Sequence, residues 1–223
     1  MEGCLTRIEI AIYGAGGFGR EVAWLAEEYA RPVGGYRVIA LLDDNPANQG
    51  REINGFQVMS LESLALKQPQ AKIALAIGKP ATREKLAQRC KERGFEFVPL
   101  IHELAEISRW VEIGPGAVIC GGCILTTNIR LGEQVQINLD CTIGHDVVMG
   151  DYTTLAPGVH VSGWVHMGKR VYVGTGAVFV NGTEAKPLLV GDEAVIGAGA
   201  CVTKDVPPGT TVVGVPARPM KGP

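Results

Sequence analysis

Aromatic residues are scarce in this chain, 6% of 223, so its core cannot rest on stacked rings and has to be built from small aliphatic layers. Excess positive charge is missing too. Lys and Arg number 21 against 23 Asp and Glu, a formal charge of −2, which argues against a dedicated nucleic-acid binder with its basic stripe. No apolar run approaches the roughly 18 residues of a membrane-spanning helix; the stretch Val38-Ile39-Ala40-Leu41-Leu42 is typical of the longest. The first residues carry acidic Glu2 and no basic segment ahead of an apolar one, so no export signal is visible. The expectation is a cytoplasmic protein without membrane insertion. Its cysteines, Cys4, Cys90, Cys120, Cys123, Cys141 and Cys201, are then expected to be reduced thiols. Glycine is what the chain has in plenty, 30 residues, against an average near ~7%.

Two periods divide the sequence. Residues 1–103 alternate strand and helix. Ile8–Tyr13 reads as a strand ending at Gly14, Arg20–Tyr29 as a helix, and Val38–Leu42 as a second strand stopped by the turn Asp43-Asp44-Asn45-Pro46. Ile73–Ile77 is a third strand, followed by a helix with Pro80 in its first turn and Gly94 past its end. Phe95–Ile101 is a last strand. This pattern implies a small parallel sheet flanked by helices.

From Ile107 the period becomes six. Ile107, Ile113, Ile119, Leu125, Leu131, Ile137, Ile143, Met149, Leu155, Val161, Met167, Val173 and Phe179 are all apolar, and the step resumes at Val190, Ile196 and Val202 after a break over residues 182–189. Each apolar residue is usually followed by a small one (Gly114, Gly132, Gly144, Gly150), and a second small or β-branched residue stands four places on (Ala117, Val135, Thr153). An antiparallel sandwich would show period two with irregular turns. A period of six with glycine near each bend describes a parallel β-helix, whose coils bury one another's faces.

Two features carry chemistry. Gly14-Ala15-Gly16-Gly17-Phe18-Gly19 fits G-x-G-x-x-G between a strand and a helix, where glycines let a phosphate approach free N–H groups at a helix start. Asp43 ends the next strand, where a carboxylate can accept hydrogen bonds from a ribose or base. A turn that only packs helix on strand is the plain alternative. The second feature is His145, third in its hexad and therefore outward-facing. The residue eighteen places on is Gly163, which leaves room above the imidazole for a thin ligand such as a pantetheine arm. The break in the repeat at Gly182–Pro187 leaves the helix on the same face. Asp146 can orient His145 only if the chain bends there, because neighbours in a regular strand face opposite ways. A solvated surface histidine is the plain alternative.

These marks, together with Leu42-Asp43-Asp44, Ala76-Ile77-Gly78, Ile101-His102, Ile143-Gly144-His145-Asp146 and Val213-Gly214-Val215-Pro216-Ala217-Arg218, resemble the hexapeptide-repeat sugar acyltransferases. That family includes bacterial UDP-amino-sugar N-acetyltransferases and sialic acid O-acetyltransferases. The resemblance implies a mixed fold: a small Rossmann-like α/β domain over residues 1–103, then a left-handed parallel β-helix over 104–223. It further implies a homotrimer with active sites between neighbouring β-helices and acetyl-CoA as co-substrate. Gly14, Gly16, Gly17 and Phe18 would hold the diphosphate of a UDP- or dTDP-linked amino sugar, Asp43 and Asp44 its nucleoside, and Gly78 and Arg83 the pocket wall. Asn138 would line the acceptor pocket. Thr154, Gly163, Thr175, Ala198 and Arg218 would meet the coenzyme. Phe18 and Thr154 stand where relatives often carry histidine. A sugar ammonium is no nucleophile, so His145, helped by Asp146, would take its proton during direct attack on the thioester, with backbone N–H groups near Gly163 steadying the oxyanion.

Two other functions stay open: an O-acetyltransferase of sialic acid or a similar sugar, and a non-catalytic nucleotide sensor. No metal site is expected. Cys120-Gly121-Gly122-Cys123 lacks a second pair at zinc-finger spacing, and His102, His145, His160 and His166 form no repeat-related set of three. Cys123 and Cys141 read as stacked core thiols. Outward Trp110, Trp164 and Tyr172 are expected at a subunit interface.

Overall fold

A computed structural model describes residues 7–30 and 35–220; Glu2 and Cys4 lie outside the described residues. The chain forms two compact units, one running to Gly78 and taking in Thr82–Glu103, the other taking Lys79–Ala81 and the chain from Leu104. Among the described residues no helix is long and apolar enough to cross a membrane.

The first unit is built on strands β1 (Ile8–Tyr13), β2 (Tyr36–Leu42), β3 (Glu52–Ile53), β4 (Phe56–Met59) and β5 (Lys72–Leu75) in the order β3-β4-β2-β1-β5. Central β1 pairs in parallel with both β2 and β5, and its Ile10, Ala11 and Ile12 are fully buried, which is why the strands read as apolar runs from Ile10, Val38 and Ile73 onward. Helix α1 (Gly17–Trp24) starts three residues earlier than expected and ends in a π turn over Leu25–Tyr29. The β3–β4 hairpin and helix α2 (Leu61–Lys67) were not expected. The hairpin turns on Asn54-Gly55, both at positive φ (49° and 84°), the pair that a tight hairpin favours, and Ser60 caps α2 by accepting from Ser63 N–H. Helix α3 (Pro80–Glu92) lies where its punctuation placed it. The expected strand Phe95–Ile101 is reduced to one bridge from Phe97 to Ile73 and the short Leu100–Ile101.

The second unit is a left-handed β-helix. Every strand is two or three residues long, and each pairs in parallel with the strand one coil away, except the last, Arg218–Pro219, which folds back antiparallel on Thr211–Val213. One face stacks Ile124–Leu125, Thr142–Ile143, His160–Val161 and Val178–Phe179; a second stacks Ile129–Leu131, Val148–Met149 and Val165–Met167; a third stacks Gln136–Ile137, Thr154–Leu155 and Tyr172–Val173. The residues stepping by six fill the core, buried from Ile119 onward. The glycine after each apolar residue stands near the bend without making it. At the place after each apolar residue it allows coils to touch: a Cβ on Gly114 would lie 2.4 Å from Gly132 O, and one on Gly150 2.5 Å from Gly168 C. The bend itself sits two places further on, where Gly116, Gly122, Asn128, Gln134, Asp140, Asp146, Tyr152, Gly158, Trp164, Arg170 and Gly176 all have φ between 55° and 73°. Glycine, Asn and Asp tolerate that left-handed region best, and they hold most of these corners. Cys123 and Cys141 are fully buried side by side in the column of small inward residues.

Candidate functional site

The glycine loop assembles a pocket of about 390 Å3 from Gly14, Gly16, Gly17, Phe18, Asp43, Asp44 and Gly78, beside Tyr13, Ala76 and Leu86. Its glycines divide the labour. Gly14 (φ +129°) and Gly19 pack, since a Cβ on the first would lie 2.7 Å from Ala76 O and one on the second 1.7 Å from Gly14 O. Gly16 and Gly17 are the cap and first residue of α1; a Cβ on Gly16 would face open space and one on Gly17 would meet only Arg20 Nη2 at 3.9 Å, so a ligand phosphate can reach that helix start.

The acidic pair is less free than the sequence suggested. Asp43 caps its own turn, accepting from Asn45 N–H and Asn48 Nδ2, each at 2.8 Å. Asp44 accepts from Tyr13 Oη at 2.6 Å and from Arg89 at 2.5 and 3.2 Å. Burial by itself would raise the Asp44 carboxyl, but the hydrogen bonds from Arg89 and Tyr13 outweigh it and hold it below the usual carboxylate range. Burial, then the bond to Asp44, pushes the Tyr13 phenol up. Arg89 and Tyr13 were missed in the sequence. Arg83 is corrected: it was expected on the pocket wall but is fully buried, its Nη1 donating to Ile77 O at 2.6 Å, so it braces the loop before Gly78 from behind and offers a ligand no surface.

A depressed carboxylate stabilises the fold above its unfolded pKa, and that contribution is lost as pH falls through its folded value. Asp44→Asn is therefore expected to melt lower at pH 7, by no more than about 1 kcal/mol given solvent screening, with the gap narrowing as the pH falls below the ordinary Asp pKa of about 3.9. Thermal melts across pH 3–7 check this.

The corner of the β-helix at residues 145–146 brings the second set together. Asp146 takes the left-handed bend (φ 58°), which turns its side chain toward its neighbour, and His145 Nδ1 lies 2.8 Å from Asp146 Oδ2. A carboxylate only accepts, so Nδ1 carries the hydrogen and Nε2 has the lone pair. The imidazole stays reachable, its side chain 56% exposed. Gly163 differs from expectation. The space above it is no vacant slot, because the imidazole leans into it: a Cβ at 163 would lie 2.5 Å from Cε1 and 2.6 Å from Nε2. Among the described residues the Gly163 N–H makes no hydrogen bond, while its carbonyl accepts from Gly182 N–H. The inserted turn, closed by a Thr183–Lys186 bridge, rises directly above Gly163 and Trp164.

Other expected contacts lie elsewhere on the coil. Asn138 is buried with Nδ2 donating to Leu155 O at 3.0 Å. Thr154 is buried on the third face, a correction to its expected contact with the coenzyme within a single chain. Thr175 and Ala198 are exposed on successive coils of the corner next to that face, a different corner from His145. Arg218 is exposed near the end of the described chain. Trp110 and Trp164 line a groove of about 490 Å3 with Asn128 and Asp146, and Tyr172 is exposed on another face. His102 is buried against Tyr29 with rings 4.4 Å apart. His160 Nδ1 meets Thr142 Oγ1 at 2.8 Å. Among the described residues no group of three or more His, Cys, Asp or Glu could hold a metal ion.

Comparisons place this geometry among known proteins. Residues 9–90 match the family described as the PglD N-terminal domain. A GDP-perosamine N-acetyltransferase from Escherichia coli O157:H7 is 36% identical over 213 residues, 94% of this chain and 95% of that protein. Among solved structures, WeeI from Acinetobacter baumannii AYE is 37% identical with a TM-score of 0.86, covering 96% of this chain and 100% of its own. PerB from Caulobacter crescentus, solved in complex with CoA and GDP-perosamine, is 27% identical with a TM-score of 0.84 over 96% and 97% of the two chains.

Proposed function

Because this chain belongs to the hexapeptide-repeat sugar acyltransferases, we propose that it moves an acetyl group from acetyl-CoA to the amine of a nucleotide-linked amino sugar. The observation that carries the reading is the His145–Asp146 pair at 2.8 Å, which leaves the lone pair of the neutral, half-exposed imidazole on Nε2. The acceptor nitrogen attacks the thioester carbonyl while Nε2 takes its proton. The Gly163 N–H is the donor for the developing oxyanion. The tetrahedral adduct then expels the CoA thiolate, which recovers the proton from His145, and no acyl-enzyme forms.

The nucleotide sits over Gly16 and Gly17 with its diphosphate on the start of α1. The nucleotide is UDP, dTDP or, as in the descriptions of two relatives, GDP. The enzyme works in the cytoplasm as a homotrimer. Asn138, Thr175 and Ala198 occupy a different corner of the coil from His145, so a neighbouring copy would bring the two sets into one site, and Arg218 then reaches the coenzyme phosphates. Light scattering should give three chains per particle.

Thiol release from acetyl-CoA, assayed with UDP-, dTDP- and GDP-linked amino sugars and with free sialic acid, tests the activity. Release with one nucleotide amino sugar is expected. Release with sialic acid alone makes the protein an O-acetyltransferase, and no release with any acceptor favours a sensor.

A further inference from the structure

The corner that carries Asp146 has a counterpart one coil earlier. Asn128 takes the same left-handed bend, φ 55° against 58°, and its Nδ2 lies 3.3 Å from Asp146 Oδ1. Only the amide nitrogen can face a carboxylate, so the orientation of the side chain is set, and its Oδ1 is left to accept from Thr127 Oγ1 at 3.4 Å. The Asp146 backbone is tied to the same corner, its N–H donating to Thr127 O at 3.1 Å. The two oxygens of Asp146 thus have separate partners: Oδ1 takes the Asn128 amide and Oδ2 takes His145 Nδ1.

We propose that Asn128 is a positioning residue for the acyl transfer: its amide holds Asp146 so that the other carboxylate oxygen keeps the His145 imidazole in one tautomer and one orientation. This rests on His145 being the base. Asn128 touches no reacting atom. It removes the freedom of a short side chain that is only partly buried, 25% exposed, and would otherwise sample rotamers that leave Nδ1 unpaired. The corner position explains why the residue is asparagine. A left-handed bend admits glycine, Asn or Asp at low cost, and of these only Asn both makes the bend and donates.

That choice also separates a donor from a mere turn former. Asn128→Gly keeps the backbone and removes the amide; Asn128→Asp keeps the size and replaces the donor with a second carboxylate. If Asn128 only shapes the turn, both variants keep full kcat. As a positioning residue, Asn128→Gly is expected to lose roughly three- to tenfold in kcat, the scale of one ordinary intramolecular hydrogen bond, with KM for both substrates unchanged, and Asn128→Asp to lose more.

The deciding measurement is a double-mutant cycle on the full-length protein with Asp146→Asn. In that background Asn128 has no carboxylate to hold, so Asn128→Gly should cost less than about twofold further. Full kcat in Asn128→Gly, or an equal loss in both backgrounds, overturns the proposal. If Asn128→Gly does not fold, by its melting curve, the cycle is run with Asn128→Asp, with the same criteria. His145→Ala, assayed alongside, keeps the two claims apart. Normal turnover there removes the base reading itself, whereas a dead His145→Ala with no coupling between 128 and 146 removes only the role of Asn128.

Discussion

His145→Ala is expected to lower kcat by about a hundred- to ten-thousand-fold, the usual contribution of a positioned general base, with little change in melting temperature or subunit number. The fold should survive because the ring packs on the outside of the coil. Its side chain is 56% exposed, and the Ile143 and Val147 side chains that flank it carry the core. The loss should fall on kcat, because the imidazole acts on a proton that moves in the transition state and has no part in holding the nucleotide. Steady-state kinetics with the preferred nucleotide sugar, alongside a melting curve, check both halves. Turnover near the parent's would take His145 out of the mechanism.

Gly163→Ala should also be damaging, although it adds only one methyl group. That Cβ would sit 2.5 Å from His145 Cε1 and 3.0 Å from Nδ1, well inside contact distance. The backbone at 163 is tied into the coil through Gly182, so the ring is what yields. It swings out of its seat and breaks the 2.8 Å bond to Asp146. Misplacement of a catalytic group by about 1 Å can cost roughly a hundredfold, and a fall in kcat of about tenfold to a hundredfold is expected. A surface ring moves cheaply, so the melting temperature should hold. In a His145→Ala background there is no ring to evict, and the methyl group should then do nothing further. An equal loss in that background would mean that residue 163 acts on the coenzyme directly.

Much of this was legible in the residues. The β-helix was, because thirteen apolar residues in step at six are a long-range pattern that no local accident reproduces. The nucleotide pocket was legible in outline, because Gly14 to Gly19 stand between a strand and a helix. Pairs distant in sequence were hidden. Asp44 and Arg89 are 45 residues apart, and nothing in either segment announces the other. Arg83 looked like a surface cation on a helix, and only its carbonyl partners explain why it is buried. The His145–Asp146 contact was in doubt because strand alternation forbids it. The resolving signal was the glycine, Asn or Asp at most of the sixth places, Gly116, Gly122, Asn128, Asp140, Asp146 and Gly158, two positions past the glycines that follow the apolar residues. Gly163 was read as a vacancy for a ligand because the sequence shows which side chain is missing and cannot show which neighbour has filled the gap.

A crystal structure of the trimer with CoA and the amino sugar that supports thiol release puts the central idea to the most direct test. The acceptor amine should lie about 3 Å from His145 Nε2, with the CoA sulfur beside it and the Gly163 N–H pointing at the site of the oxyanion. An amine held by some other base, or a sulfur seated away from this corner, would contradict the account.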